Sequence, residues 1–217
     1  KTFYIINDAD KVGFYGGVYF KGNNVKEVLG NDTKIAWPNG TDLPAVPGIP
    51  IECYEYENLD LSHLELQNGL MSHQNYRNWC TLMEAELAVL QDIGFTDIDR
   101  SKFFGHSIYA SGTTIAANTV NISNLANGSG NSWTSSTDRA IGLHIYGSNN
   151  IVSLGSADGN ASFNTGDVAI DAKGSYSMGV RIDGAGNTLT INDGVQIAVG
   201  DDNKKDILKK ESQDVLG

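Results

Sequence analysis

The residues most suited to chemistry lie between Asp60 and Phe95, where a histidine, a methionine and a strongly helical segment follow one another. His63 is the strongest candidate for a chemical role in this stretch. A single histidine beside apolar residues is more often structural or exposed than functional, and the chain holds no complete catalytic constellation around it. The sequence therefore says more about architecture than about an activity.

Other reactive side chains form weaker patterns. A Ser-His-Asp hydrolase is excluded because the sequence has no nucleophile elbow. A thiol site that pairs Cys53 or Cys80 with His63 stays open, although nothing in the spacing selects it. The two cysteines are too few for a disulfide framework, so a single bridge and two isolated small hydrophobic residues are both open. His73, in a Ser-His-Gln-Asn setting, indicates a hydrogen-bonding loop.

Histidines and acidic residues after residue 105 have competing interpretations. His106 and His144 fall on predicted strands, where a pH switch is one expectation and solvent exposure the more usual one. A set of four carboxylates matches neither an EF-hand loop nor a glycine-rich calcium repeat, so we expect corner residues and not a Ca²⁺ site. This set is Asp167, Asp171, Asp183 and Asp193. A groove that processes carbohydrate would need clustered carboxylates and aromatic residues at matching repeat positions. The repeat alignment offers only Tyr146 opposite Asp183, which is too little.

The chain is acidic, with 26 Asp and Glu against 15 Lys and Arg and a net charge of −11 over 217 residues. A uniformly negative field repels phosphates and acidic lipids, which argues against nucleic acid and against polybasic membrane docking. No apolar run approaches the roughly 18 residues that cross a bilayer, so no membrane-spanning segment is expected. The remaining partner class is a protein or host-surface ligand.

One helix, Leu82–Ile93, is predicted with sharp ends. Thr81 and Glu84 have the spacing of a capping box, and Gly94 supplies the left-handed residue that ends the helix. The apolar residues between them form one broad face. They are Leu82, Met83, Leu87, Val89, Leu90 and Ile93. We expect a buried helix in which Met83 is a core residue and not a functional sulfur.

Less regular structure is predicted before this helix. Two short apolar runs, Phe3–Ile6 and Val18–Phe20, indicate strands around a turn at Gly16-Gly17. Residues 25–29 indicate one or two helical turns. Four prolines between residues 31 and 50 favour extended or turn backbone in a surface excursion.

A repeat of 37 residues follows the helix. Arg139–Leu154 aligns without gaps on Tyr176–Ile191, and a fainter copy begins 37 residues earlier, near Gly105. Glycines and inward β-branched residues at a fixed period are typical of stacked coils, each of which buries its apolar face only against its neighbours. We therefore predict a β-solenoid with Asn124–Asp138 or Gly155–Gly166 as protruding loops. A β-sandwich with accidental similarity is the alternative.

The segment SHLELQNGLMSHQNYRNWCTLMEAELAVLQDIGF resembles the end of the catalytic domain of metzincin-type zinc peptidases, especially leishmanolysin-like ones. In that family a zinc-binding histidine precedes a methionine turn and a helix that ends in LQDLGY. The flanking segments GGVYFKGNNVKEVLG and DRSKFFGHSIYASG look like bacterial autotransporter passengers that join such a region to a β-helix. By motif, the resemblance covers residues 13–112.

The resemblance implies that His63 is the third zinc ligand and that Met71, eight residues later, lies beneath the metal. A hydrolytic zinc needs three protein ligands and a polarised water. The family takes its other two histidines and its general-base glutamate from an HExxH helix, which this chain does not contain, and Glu65 does not replace that base. We expect the missing helix upstream of Lys1, so the zinc belongs to an intact parent.

These patterns predict an α+β metzincin-like part over residues 1–104, a parallel β-helix over 105–200 and a charged tail over 201–217, with β structure predominant overall. The tail either caps the coils or begins another one.

The resemblance implies a fragment of an exported bacterial surface protein, secreted or linked to the outer membrane. The fragment would be inactive alone, and an upstream peptidase half and further coils would complete it. In the intact zinc endopeptidase, the helix bearing Leu82, Met83, Leu87 and Leu90 would support the site. The alternative is a non-catalytic adhesin or stalk whose peptidase-like part caps the β-helix.

Overall fold

The computed structural model describes residues 3–5, 18–29, 48–51, 63–64, 66, 68–72, 81–110, 112, 114–116, 132–155, 168–192 and 195–200. Several of the predictions above lie outside the described residues. These concern the turn at Gly16-Gly17, Cys53, Glu65, His73, Cys80, Asp167, Asp193 and the tail over 201–217.

Strands predominate in the described part of the chain. In chain order the elements are β1 (Phe3–Ile5), β2 (Val18–Phe20), α1 (Asn23–Leu29), β3 (Ile49–Pro50), α2 (Glu84–Asp92), a 3₁₀ turn (Arg100–Lys102), β4 (Phe104–Tyr109), β5 (Thr114–Ala116), β6 (Ser132–Ser135), β7 (Ile141–Tyr146), β8 (Ile151–Leu154), β9 (Val168–Ala172), β10 (Met178–Asp183), β11 (Thr188–Ile191) and β12 (Val195–Val199). The prediction of a mostly β chain with parallel sheets is confirmed.

The part before residue 104 combines a small antiparallel sheet with two helices. β2 pairs with both β1 and β3, so the two strands predicted near the start of the chain lie side by side. α1 packs on α2, and Ile51 forms an isolated bridge with Leu64. Buried apolar residues from these elements, among them Phe20, Val25 and Met83, form one core cluster.

The remaining strands form three parallel sheets, ordered β4-β7-β10, β5-β8-β11 and β6-β9-β12. Each sheet takes one strand from each of three successive stretches of chain, which we call passes. The first pass is β4 to β6, the second β7 to β9 and the third β10 to β12. Apolar residues from all three sheets pack together between them, with Leu143, Val152 and Ile170 at most 1% exposed.

Register in the first two sheets follows the predicted repeat. Phe104, Ile141 and Met178 occupy equivalent positions, each 37 residues from the next. This spacing confirms both the ungapped alignment and the fainter first copy. The third sheet departs from it once, because Val195 pairs with Val168, which lies 27 residues earlier. The connection between the second and third strands is therefore ten residues shorter in the third pass than in the second.

The first sheet is covered on both sides. One side faces the other two sheets through residues such as Ile108 and Ile145. The opposite side carries Phe104 and Ile141, which pack against Leu87 of α2. Every residue of β7 is buried for this reason. No helix in the described residues is long and apolar enough to span a bilayer.

Two local predictions need correction. β6 lies inside the segment 124–138 that was predicted to be a protruding loop, and its polar sequence SWTS forms a strand because it pairs in register with β9. The helix over 82–93 is shorter at both ends, with Met83 as its N-cap and Ile93 as its C-cap. Ile93 is 54% exposed and does not belong to the buried face, whereas Gly94 has the positive φ, +119°, that was expected.

Candidate functional site

The chain reverses direction between His63 and Met71. Leu64 N donates to Met71 O at 3.0 Å, and within this loop Gly69 N donates to Leu66 O at 2.9 Å. His63 is half-buried, and the half-buried Met71 packs against the core of the part before residue 104. The histidine and methionine of the predicted site are therefore brought to the two ends of one small loop.

A buried glutamate of α2 holds this loop in place. Glu86 Oε1 accepts a hydrogen bond from Met71 N at 2.6 Å, and Oε2 accepts one from Met83 N at 2.7 Å. Burial raises the pKa of Glu86, and these backbone N–H groups offset part of that rise. A Cβ at Gly69 would stand 2.7 Å from Oε1, so only glycine lets the loop approach the carboxylate this closely.

Glu84 of the predicted capping box binds a distant arginine and not the backbone at the start of the helix. Glu84 is the first residue of α2, and its Oε1 accepts from Arg100 Nη1 at 2.8 Å. The same guanidinium donates to Glu27 of α1 at 2.9 Å and to Gln91 at 2.7 Å. Burial raises the pKa of Glu84 to about 7 against the lowering effect of Arg100. Arg100 thereby connects both helices to the 3₁₀ turn that leads into β4.

A second charged network joins the loop to β10. Arg181 Nε lies 2.7 Å from Asp183 Oδ2, its Nη1 donates to Thr81 Oγ1 at 2.6 Å, and its Nη2 donates to the carbonyl oxygen of Asn68 at 3.2 Å. Asp183 Oδ2 also lies 2.7 Å from His144 Nε2. This network explains why Thr81 does not cap α2, since its hydroxyl oxygen is used by Arg181.

His144 is a buried residue, contrary to the expectation of solvent exposure. Its side chain has 0% exposure and is surrounded by the rings of Phe104, Tyr109 and Tyr146. Burial lowers the pKa of His144 more strongly than the hydrogen bond to Asp183 raises it. We therefore assign a neutral imidazole that donates its Nε2 proton to the carboxylate. A ring without exposed surface cannot reach a substrate, so this pair holds structure together.

Asp183 is not a solvated corner carboxylate. Burial by itself would raise its pKa, but the hydrogen bonds and charges of His144 and Arg181 together hold the pKa below the usual range. His106 on β4 is also buried, at 2% exposure, and burial lowers its pKa to about 4. Of the four carboxylates considered for Ca²⁺, Asp171 lies within strand β9 and not at a corner, with its carboxylate 3.2 Å from Lys173 Nζ.

The predicted supporting helix residues divide into two groups. Met83 and Leu87 are buried, which agrees with a core role for both, and Leu82 and Leu90 are half-buried against Phe104 and its neighbours. The charged residues Glu86, Arg100 and Arg181 were missed by sequence reasoning. For Arg181 the signal was a charge that follows the apolar start of MGVRID, whereas Arg100 stands in the polar stretch DIDRSK and carries no such signal.

Within the described ranges, no group of three or more His, Cys, Asp or Glu residues is placed to hold a metal ion. His63 is one candidate ligand, and the described residues do not by themselves fit a zinc site, which needs at least three protein ligands. Comparison of the chain with protein-family models, curated proteins and solved structures gave no match.

Proposed function

We propose that this chain is a rigid display scaffold in an exported bacterial surface protein, in which a metzincin-like part is docked on the side of a parallel β-solenoid. The observation that carries the proposal is the Arg181 network. One guanidinium on the third pass binds the carboxylate of its own strand and two groups, Thr81 and Asn68, that precede the repeat.

The stacking of the passes supports a solenoid. Three sheets are wound in the same order by each pass, and the turn asparagines bond from pass to pass. Asn150 Nδ2 donates to Ala110 O at 2.8 Å and to Asn187 Oδ1 at 3.0 Å, and Asn187 Nδ2 donates to Gly147 O at 2.7 Å. Such contacts satisfy buried polar groups at the corners and fix the rise from one pass to the next.

The packing of α2 supports attachment along the side and not over an end. Leu87 contacts Phe104 and Ile141, and Met178 packs against the same cluster. These three sheet residues occupy one register position in three passes. A cluster that joins α2 to one register position of the stacked strands opposes their shifting relative to one another, which is the property a stiff display stalk requires.

Replacing Arg181 by methionine tests this scaffold. The variant removes the bonds that join β10 to Thr81 and to Asn68 of the loop. It also leaves the 11%-exposed Asp183 carboxylate without its cation, so α2 should detach more readily. Hydrogen exchange of amides in α2 should accelerate at least about tenfold, with a smaller effect in β7.

The matched control is Lys173→Met, which removes an exposed ion pair with Asp171 and should change little. Equal effects of the two variants would contradict rigid docking, as would independent tumbling of α2 and β7 in the unmodified chain by ¹⁵N relaxation.

Surface display is tested separately with an antibody against the chain. Labelling only after lysis of the source cells would refute it.

A second candidate function is a half-site of a zinc endopeptidase in a longer parent. It is favoured by the loop that has His63 and Met71 at its two ends, with the Met71 N–H bound by the carboxylate of Glu86. In the parent, His63 would be one ligand, and an HExxH helix would supply the others. The coding sequence upstream of Lys1 tests this candidate, because its lack of HExxH would end the proposal.

Metal analysis of the longer chain provides the second test. Stoichiometric zinc that is lost in His63→Ala and retained in the control His73→Ala would support the half-site. Zinc retained in His63→Ala would show that the metal is bound elsewhere.

A further inference from the structure

Two exposed side chains lie together at the corner of the stack where the second and third passes begin. Arg139 stands two residues before β7 and Tyr176 two residues before β10, so they occupy one register position in successive passes. The side chain of Tyr176 is 83% exposed, and the guanidinium carbon of Arg139 lies 5.9 Å from the centroid of its ring. Burial in the core therefore does not explain why these two residue types stand here.

Both residues adopt a backbone conformation that suits bulky side chains poorly. φ is 61° at Arg139 and 59° at Tyr176, in the left-handed region that glycine and asparagine tolerate best. In the turn between the first and second strands of a pass, two positions with positive φ that are also 37 residues apart are occupied by Asn149 and Gly186. The shape of a turn thus does not select arginine and tyrosine, which stand at this corner at a cost in stability.

A small cavity lies beside the pair and shares Arg139 with it. Its volume is about 150 Å³. Apart from Arg139 it is lined by Leu70, Thr81, Leu82, Phe103, Phe104 and Asp138. This is less than the roughly 300 Å³ at which pockets for drug-sized ligands begin, and the lining is mainly leucine and phenylalanine. The cavity therefore suits a single apolar side chain.

The same corner is locally basic. Lys102 stands two residues before β4 and so takes the equivalent position in the first pass. Together with Lys102, the turns over 136–140 and 173–177 carry three exposed cations and one exposed carboxylate, Asp138. Of the cations, Lys173 lies 3.2 Å from a carboxylate of β9. In a chain with a net charge of −11, such a corner attracts an acidic group more than the rest of the surface does.

The combination resembles the centre of a protein interface. Tyrosine and arginine are enriched among the residues that dominate binding energy, and such residues gather beside pockets from which water is excluded. A carboxylate next to an apolar side chain in a partner could meet the guanidinium of Arg139 through two parallel hydrogen bonds while the apolar side chain fills the cavity. A saccharide would instead need hydroxyl-binding side chains along the cavity, where leucine and phenylalanine predominate.

We propose that the corner formed by Tyr176, Arg139 and this cavity binds an acidic peptide segment of a partner protein, with an apolar side chain next to a carboxylate. The apolar side chain enters the cavity, the carboxylate binds Arg139, and the Tyr176 ring packs along the peptide and shields that ion pair from water. This binding activity goes beyond the display scaffold and holds whether or not the chain is exposed at a cell surface.

Short blocked peptides test the corner on the full chain. The probes are Ac-Gly-Asp-Phe-Asp-Gly-NH₂, the same peptide with Ala in place of Phe, and the same peptide with Lys in place of both Asp residues. In ¹H-¹⁵N spectra the first peptide should shift the amides of residues 138–140 and 175–177 until they saturate. The alanine peptide should bind at least about tenfold more weakly, because burial of the phenyl ring is lost, and the lysine peptide should not bind.

Three results would overturn the proposal. The first is equal binding of all three peptides, or no binding of the acidic phenylalanine peptide. The second is a set of shifts at the same amides with cellobiose in place of the peptides, which would assign the corner to a saccharide. The third is a set of shifts that depends on protein concentration without any peptide, which would assign it to a second copy of the chain.

Asparagine substitutions separate this role from a structural one. Tyr176→Asn and Arg139→Asn introduce a residue that tolerates positive φ, so the urea midpoint should stay level or rise. The affinity for the acidic phenylalanine peptide should nevertheless fall at least about tenfold. The matched control is Asn149→Gly, which changes a residue of the same conformation in another turn and should leave the affinity unchanged. Unchanged affinity in Tyr176→Asn and Arg139→Asn would refute binding at this corner.

Discussion

Replacing His106 by leucine should change how the stability of the protein depends on pH. Leucine is the residue that the second pass carries at the equivalent position, Leu143, so the change preserves an apolar strand. Burial lowers the pKa of His106 from 6.5 to about 4. The unfolded chain therefore takes up a proton that the folded chain resists. The stabilising contribution is complete above pH 6.5 and is lost as the pH falls through 4, by about 3 kcal/mol in total.

Glu84 has the opposite effect over nearly the same range. Burial raises the pKa of Glu84 from 4.5 to about 7, so the folded chain keeps a proton that the unfolded chain releases. Its contribution is complete below pH 4.5 and is lost as the pH rises through 7, again by about 3 kcal/mol. In the unmodified protein the contributions of Glu84 and His106 should largely cancel.

Urea unfolding between pH 4.5 and 7.5 measures both contributions. Relative to the unmodified protein, His106→Leu should gain about 2 to 3 kcal/mol of stability as the pH falls from 7 to 4.5. Glu84→Gln should gain a similar amount as the pH rises, and the double variant should run parallel to the unmodified protein. A stability difference between His106→Leu and the unmodified protein that is the same at pH 4.5 and 7 would refute the burial of this histidine.

Three further substitutions test individual contacts, each by urea unfolding. Glu86→Gln should cost about 2–4 kcal/mol, because hydrogen bonds to a carboxylate are worth about 1.5–3 kcal/mol each, and should expose the amide of Met71 to exchange; unchanged protection of that amide would contradict the assigned role. Gly22→Ala should cost about 1–3 kcal/mol, since a Cβ at Gly22 would overlap the Asp92 carboxylate that caps the start of α1. Asn150→Leu should cost about 2–4 kcal/mol by leaving buried acceptors unsatisfied, and a neutral result would mean that the corner bonds contribute little.

The register of the parallel sheets could be predicted from the sequence because close packing requires glycine at the same position of successive passes. A Cβ at Gly142 would collide with Ile170 and stand 2.7 Å from the carbonyl oxygen of Gly179, so neither the period nor the residue type can drift there. The same constraint does not reveal which residues cover the outer side of a sheet. The exposure expected for His144 was wrong for this reason, since the rings of Phe104, Tyr109 and Tyr146 and the carboxylate of Asp183 surround it.

The capping box predicted from local spacing was wrong because charged side chains distant in the sequence bind its two residues. Thr81 and Glu84 satisfy the pattern of a capping box, but Arg181 takes the hydroxyl from a position 100 residues away and Arg100 takes the carboxylate. Glu86 then accepts from the N-cap backbone in place of Glu84. The identity of a cap depends on tertiary partners that a window of four residues cannot contain.

The connection between the second and third strands of a pass has thirteen residues after β8 and three after β11, yet β9 and β12 pair without a bulge. The length of chain at this corner is thus independent of the spacing between passes. A segment of about ten residues can be gained or lost there while every strand keeps its neighbours. The corner is where a new peptide could be grafted, so one face of the stack can diversify its surface while the paired strands stay unchanged.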